Sequence, residues 1–434
     1  MSYPLPKKFI KKMQKQLPQT EWEAFFATYE NKPYKGVRLN PLKGEKADLQ
    51  KLLPFLGEPI AWEENGFYTD LEKLGSSPFH TAGVFYSQEP SAMSASPLLD
   101  VKAGERVLDL CSAPGGKGTQ LACKMQGEGL IVLNEPVENR AKILLQNVER
   151  LGITNAIVTC ETPEKLAEKF VGYFDKILVD APCSGEGMVR KNADEALAEW
   201  SEENVELCAR RQSKILESAT KMLKTGGKLV YSTCTFSCEE DEVQVQDYLT
   251  KHPFMRLIRQ EKLYPHKIKG EGHFVALFTR DNENESVGVR EMKPSVLSAS
   301  SKLYKEFEKN FFYSSFARNL HEVNGVLYAL PNDVFDWRGL QVLRVGVRLG
   351  EVKNGRFEPC HALATSVKKA DCKNVVDLSL DDGRVDKYLR GETIDADVKN
   401  GWCIVCVAGY PLGLGKGVNG VVKNHFPKGL RRLG

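Results

Sequence analysis

Between Lys102 and Arg280 short apolar runs alternate with longer segments of helical period, and few folds are open to a chain with that alternation. The runs are RVLDLCSA (106–113), GLIVLNEP (129–136), AIVTCE (156–161), DKILVDAP (175–182), GKLVYSTC (227–234), FMRLI (254–258) and HFVALFTR (273–280). Between them, residues 115–125, 137–152, 194–200 running on to 217–224, and 237–252 have helical spacing, with Gly152 and Gly226 where helix stops belong. Parallel strands need crossovers of a dozen or more residues, usually a helix. The pattern predicts an α/β fold of Rossmann-like, doubly wound type around a seven-stranded sheet.

The flanks differ. Residues 1–95 open with a basic amphipathic helix, carrying Phe9, Ile10 and Met13 beside Lys7, Lys8, Lys11, Lys12 and Lys15, which suits either an RNA-facing surface or a cap on the next domain. After the α/β pattern, which we bound at 96–285, the polar stretch 281–300 has little periodicity and predicts a linker, placed at 286–300. Short β-like runs with glycine turns then predict a small β-rich domain over 301–434. Residues 288–434 carry 23 basic and 16 acidic side chains, a net of +7, against −4 for residues 1–287. Such a segment hints at a polyanionic partner. With no run of about 18 apolar residues and an N-terminus lacking a signal-like apolar core, the expectation is a cytoplasmic protein whose 11 cysteines are free thiols.

Two groups of residues carry chemistry. The first run enters PGGKG and then a helix, so Gly115 and Gly116 let backbone approach a ligand at a helix N-terminus. Neither the phosphate-loop nor the GxGxxG spacing is present. Glu135 ends the next strand 20 residues after Gly115, the offset of an acid that grips a ribose diol. An adenosine-containing ligand without a pyrophosphate fits this arrangement.

The fourth run ends in Asp180-Ala-Pro-Cys183 and the fifth in Ser232-Thr233-Cys234. Adjacent strands of a doubly wound sheet aim their carboxyl ends at one crevice, so two cysteines and an aspartate converge beside the ligand. Their separation of 51 residues, without paired histidines, disfavours a metal site. A thiolate nucleophile is the better reading, with Arg190 and Lys191 as positive charges nearby and as substrate contacts. Cys403 and Cys406 read as buried strand cysteines, and His266 and His273 as possible crevice residues.

Gln88-Glu89-Pro90-Ser91, CSAPGGKG (111–118), NEP with Asn139-Arg140, DAPCSGEGM (180–188) and STCTF with the acidic run after it together resemble the Nop/Sun family of S-adenosylmethionine-dependent RNA cytosine-5 methyltransferases, in its bacterial small-subunit rRNA branch. VKNHFPKGLRR (422–432) is similar to that branch's PUA-like RNA-binding extension. The resemblance implies a class I methyltransferase sheet with an N-terminal RNA-associated subdomain. Cys111, Ser112, Ala113, Pro114, Gly115, Gly116 and Lys117 would hold the methionine part of S-adenosylmethionine, and Glu135, oriented by Arg140, its ribose. Glu161 stands where many relatives have Asp-Gly and would meet the adenine edge. Cys234 matches the nucleophile, Cys183 the cysteine of product release, and Asp180 a contact to cofactor and base.

Cytosine C5 is a weak nucleophile, and thiolate addition at C6 makes it enamine-like. Asp180 is expected to donate a proton at N3, its apolar flank Ile177–Val179 raising its pKa, while Cys183 or a water it positions takes the C5 proton. The base must be unstacked to be reached. The expected substrate is 16S rRNA or the small ribosomal subunit, bound by a monomer with neither DNA nor a membrane as partner, and removal of 290–434 should leave cofactor binding intact. Competing readings are the same chemistry on tRNA and a non-catalytic RNA-binding assembly factor; an amino-methyltransferase would have a D/N-P-P-Y/F motif where this chain has DAPC.

Overall fold

Seven strands form where the apolar runs predict them, and an eighth joins them from beyond the linker. The structure, a computed structural model, describes residues 5–281, 299–317 and 319–432. Most of the predicted linker lies outside the described residues, and residues 299–300 already belong to the helix Ala299–Phe311.

The N-terminal segment contributes β1 (Gly36–Leu39), β2 (Gly66–Tyr68) and β3 (Phe85–Ser87), an antiparallel sheet in the order β2-β1-β3. The central strands are β4 (Arg106–Asp109), β5 (Leu130–Asn134), β6 (Ala156–Thr159), β7 (Phe174–Asp180), β8 (Leu223–Thr233), β9 (Met255–Leu263) and β10 (His273–Arg280). Beyond them come β11 (Leu320–Val323), β12 (Val326–Ala329), β13 (Val342–Val345), β14 (Val347–Lys353) and β15 (Arg356–Pro359). Last are β16 (Val375–Leu378), β17 (Ile394–Asp395), β18 (Gly401–Val407), β19 (Tyr410–Val418) and β20 (Val421–Asn424).

The central sheet has the order β13-β6-β5-β4-β7-β8-β10-β9. β6, β5, β4, β7 and β8 run parallel, while β10, β9 and β13 are antiparallel to their neighbours. Successive residues of these strands feed two cores. Leu108, Val132, Ile177 and Val179 pack on one face; Val107, Ile131, Leu133 and Leu178 pack on the other. Burial of both faces is why the parallel strands read as continuous apolar runs.

The predicted helices form at Gly116–Lys124, Glu138–Arg150 and Glu242–Lys251. The long segment from 194 onward breaks in two, Ala193–Glu199 and Glu202–Met222, because Ser201 caps the second by accepting the Asn204 N–H at 3.0 Å. The basic N-terminal helix, Lys7–Gln16, caps the catalytic domain. Phe9 and Met13 pack with Trp200 and Phe236, while Lys12 donates to Ser237 Oγ at 2.6 Å and Gln16 to the Phe236 carbonyl at 3.2 Å.

β13 is the addition that sequence periodicity did not expect. Arg344, buried on this strand, donates to the carbonyls of Ile153 (2.7 Å) and Gly346 (2.5 Å), so the C-terminal third is keyed into the central sheet. The rest of that third builds two sheets, β11-β12-β14-β15 and β16-β18-β19-β20-β17. The latter packs against the N-terminal sheet through Val37, Leu39 and Phe85 on one side and Val376, Tyr388 and Val405 on the other. Cys403 and Cys406 are buried on β18. Among the described residues no helix is long and apolar enough to cross a membrane.

Candidate active site

The carboxyl ends of β4, β5, β7 and β8 open into a cavity of about 840 Å3 lined by Cys111–Pro114, Gly116, Lys117, Glu135, Arg140, Asp180, Cys183, Lys191, Cys234 and His273. The loop between β4 and the helix Gly116–Lys124 forms its floor. Gly115 takes φ +109°, which a side chain would resist, and lets the helix start at Gly116. Gly118 has a different reason to be glycine: a Cβ there would press into Ser112 Oγ and lie 2.6 Å from Asp109 Oδ2. From the N-terminal segment, the buried Arg38 reaches Gln88 Oε1 (3.1 Å), the Gly116 carbonyl (3.1 Å) and Thr119 Oγ1 (2.8 Å), fixing the glycine turn.

Glu135 is buried at the end of β5, where Oε1 accepts the Val137 N–H at 3.1 Å and Oε2 lies 3.4 Å from Arg140. Arg140 also donates to the Ala113 carbonyl at 3.0 Å, tying this acid to the loop. The residues suit S-adenosylmethionine. Glu135 offers acceptors for a ribose diol. The Asp109 carboxylate, buried beside the loop, has no hydrogen-bond partner by distance and angle among the described residues, and its oxygens fit a cationic amino-acid end. Burial pushes Asp109 up to about 7.

On the lining of the same cavity Cys183 Sγ and Cys234 Sγ stand 3.3 Å apart. Contact with Cys234 and burial push the Cys183 thiol well above its ordinary value, so it remains a protonated donor. Two buried carboxylates brace the cysteine loops. Glu240 accepts the Ser184 N–H at 3.0 Å and the Gln212 amide at 2.7 Å. Glu186 accepts the Phe236 N–H at 3.0 Å and the Trp200 indole at 2.8 Å. Both carboxylates stand in motifs noted for other residues, and only the fold reveals what they brace.

Asp180 behaves otherwise than its apolar flank predicts. Burial acts to raise its pKa, yet the Lys117 ammonium at 2.8 Å and the hydrogen bond from Ser232 Oγ (2.8 Å) hold the carboxyl below its ordinary value. Asp180 is therefore a carboxylate, not a neutral acid. His273 does line the cavity, buried, with Nε2 3.8 Å from Asp180 Oδ1; burial and Lys117 press its pKa down to about 3, so the ring is neutral. His266 instead pairs with Glu21 at 3.0 Å.

Two predicted residues leave the site. Arg190 is buried in a double ion pair with Glu271 (2.7 and 2.8 Å), donates to the carbonyls of Gly270 (2.9 Å) and Thr28 (3.2 Å), and is not on the cavity lining. Glu161 is absent from the cavity lining because Lys165 (2.7 Å) and the Gln341 N–H (2.6 Å) hold its carboxylate at the junction with the C-terminal third; Glu164 lines the cavity in its place. Lys191 is exposed at the rim.

Comparison with known proteins supplies the family. Residues 96–287 match the model of the 16S rRNA methyltransferase RsmB/F, and 5–90 that of the N-terminal domain of 16S rRNA methyltransferase RsmF. Residues 306–367 match the RsmF rRNA methyltransferase first C-terminal domain, and 375–432 the RsmF PUA domain. The chain is similar to ribosomal RNA small subunit methyltransferase F of Shewanella sp. (strain ANA-3), 33% identical over 98% of this chain and 97% of the relative. With the enzyme of that name from Aliivibrio salmonicida it shares 31% identity over 99% and 98%. A methyltransferase homologue from Pyrococcus horikoshii superposes with a TM-score of 0.56 at 29% identity, over 64% of this chain and all of that one. NSun6 from the same organism, solved with SFG, an analogue of S-adenosylmethionine, has a TM-score of 0.58 over 64% of this chain and 99% of its own, and at 21% identity speaks to the fold. The loop, the acid of β5 and the matches along the whole length lead to one conclusion: this chain is an S-adenosylmethionine-dependent RNA methyltransferase and belongs to the ribosomal RNA small subunit methyltransferase F family.

Proposed function

We propose that this enzyme methylates C5 of cytosine in 16S rRNA, in the cytoplasm, through a covalent bond between Cys234 Sγ and cytosine C6. The observation that carries the reading is the cysteine pair, 3.3 Å apart, on the lining of the same cavity as the glycine loop and Glu135. A transfer to an oxygen or an exocyclic amine needs no thiol, whereas C5 needs a nucleophile at C6 to become reactive. S-adenosylmethionine supplies the electrophilic methyl group.

The remaining steps fall to this chain's side chains. Addition of Cys234 pushes electron density toward cytosine N3 and O2, and the Lys117 ammonium stabilises it there, in a water-poor site where a fixed charge acts strongly. Asp180, kept ionised by Lys117, holds that ammonium and accepts from the base's amino group. After methylation the C5 proton passes to water, the C6–S electron pair returns to Cys234, and the Cys183 thiol hydrogen-bonds the departing thiolate. Residues 1–95 and 301–434 serve RNA binding in this reading, with the N-terminal helix also bracing the loop after Cys234. The test is bisulfite mapping of small-subunit rRNA from cells lacking the protein, complemented with wild type or Cys234→Ala. One protected cytosine should vanish, return with wild type and stay absent with the variant; restoration by Cys234→Ala would refute the covalent route.

A further inference from the structure

The helix Glu202–Met222 treats its cations unequally. Arg210 pairs with Glu206 (3.8 Å) and Lys221 with Glu217 (3.2 Å), the ordinary i,i+4 arrangement of a solvated face. Arg211 and Lys214, three residues apart on the same helix, have no carboxylate or hydrogen-bond partner among the described residues, and both line the active-site cavity with Ile215. Lys191, eight residues after Cys183 and on the same lining, is likewise exposed and unpaired among the described residues. The rim cation Arg140 is matched by Glu135, and the buried Lys117 is matched by Asp180. Arg211, Lys214 and Lys191, on the same lining, have no such ion pair among the described residues, although Glu164 also lines the cavity.

We infer that Arg211 and Lys214, together with Lys191 of the same lining, form a seat for the phosphodiester backbone of the RNA beside the extruded cytosine. This rests on the RNA-base reading above and adds to it the residues that hold the strand. A base brought to Cys234 carries its flanking phosphates to the cavity mouth, and unpaired cations there meet them without first breaking an ion pair. Helix position is itself secured: Gln212, between the two cations, donates to the Pro182 carbonyl at 3.0 Å and to Glu240, so the seat is rigidly linked to the Cys183 loop. Phosphate contacts position a strand without reading its sequence.

The experiment compares wild type with Arg211→Ala/Lys214→Ala and with Arg210→Ala/Lys221→Ala, which removes the paired cations of the same helix. The probe is 16S rRNA from cells lacking the enzyme, with KM, kcat and binding followed against salt. The first double variant should raise KM at least tenfold with kcat held within about twofold, and lower the slope of log affinity against log salt by roughly 1.4, the share of two phosphate contacts on a single strand. S-adenosylmethionine binding should not change, and the paired-cation control should keep the wild-type slope. An unchanged slope and KM in Arg211→Ala/Lys214→Ala would overturn the seat while leaving the cytosine chemistry intact. Should bisulfite mapping instead fail to find a modified cytosine, the slope measurement still decides whether these cations hold RNA.

Discussion

The backbone N–H of Cys234 donates to Cys183 Sγ at 3.3 Å, and the two sulfurs are equally close, so each cysteine is positioned by the other. On the proposed covalent route Cys183, kept a thiol by Cys234 and by burial, would assist departure of the Cys234 thiolate rather than take a proton from C5. The Cys183→Ala variant should therefore add to RNA and fail to let go. A protein–RNA band stable to denaturation should accumulate in denaturing gels when the methyl donor is present, and should be missing in Cys183→Ala/Cys234→Ala. A Cys183→Ala enzyme that turns over freely without any such band would contradict the release role.

Lys117 sets the charge of Asp180. Removing the ammonium in Lys117→Met leaves Asp180 with burial as its dominant influence, and the carboxyl pKa rises. In wild type the ionised form is lost only below the ordinary carboxylate range; in the variant that loss moves to higher pH. The methylation rate should fall by about 10²–10³, as expected for removal of one donor aimed at developing charge, and the acidic limb of its pH profile should shift upward. An unshifted limb would mean that Asp180 does not titrate under Lys117's control.

Asp109 provides a test on stability. Its folded value of about 7 lies above the ordinary carboxylate value, so the folded protein holds this proton more tightly than the unfolded chain. Its contribution is present at low pH and is lost as pH rises from about 4 through 7. Asp109→Asn, which cannot ionise, should melt progressively higher than wild type as pH is raised from 5 to 8 in the absence of cofactor. Parallel melting curves across that range would remove the assignment.

Truncation before the C-terminal third is expected to harm the catalytic domain, contrary to what the linker suggests. Val334, Phe335 and Val345 sit in the core beneath the central sheet, and burial of such side chains is worth about 1.5–3 kcal/mol each. Against a total stability of about 5–15 kcal/mol, loss of all three is large. A fragment ending at residue 290 should melt well below the full chain and bind S-adenosylmethionine more weakly. Arg344→Ala, which leaves the carbonyls of Ile153 and Gly346 without their donor, should cost about 2–3 kcal/mol. Equal melting temperatures for fragment and full chain would show β13 to be dispensable.

Local pattern was enough to place the glycine turn, Glu135 and the two cysteines, because each sits at a strand end whose direction follows from the α/β alternation. Charge states were not legible. Asp180 looked like a neutral acid from its apolar neighbours, but its value is set by Lys117, 63 residues away, which only the loop's path brings to 2.8 Å. Glu161 stood at the right strand end and was captured by Gln341, 180 residues downstream. Arg190 follows Cys183 by seven residues, and its partner Glu271 comes from a different strand connection. Tertiary pairing of charges has no period in the sequence, so residue type and spacing alone could not separate a structural ion pair from a substrate contact.

β13 also imposes an order on biosynthesis. Translation makes β4 through β10 long before it reaches Val342, and in any nascent chain shorter than this the outer side of β6 is an unpaired sheet edge, the kind of surface that recruits foreign strands. The fold thus ties completion of the central sheet to synthesis of the first third of the C-terminal segment, through Val345. A ribosome that stalls between residues 281 and 342 releases a product with both cysteines but an open sheet, which chaperones and proteases would meet as an unfinished protein rather than as a smaller enzyme.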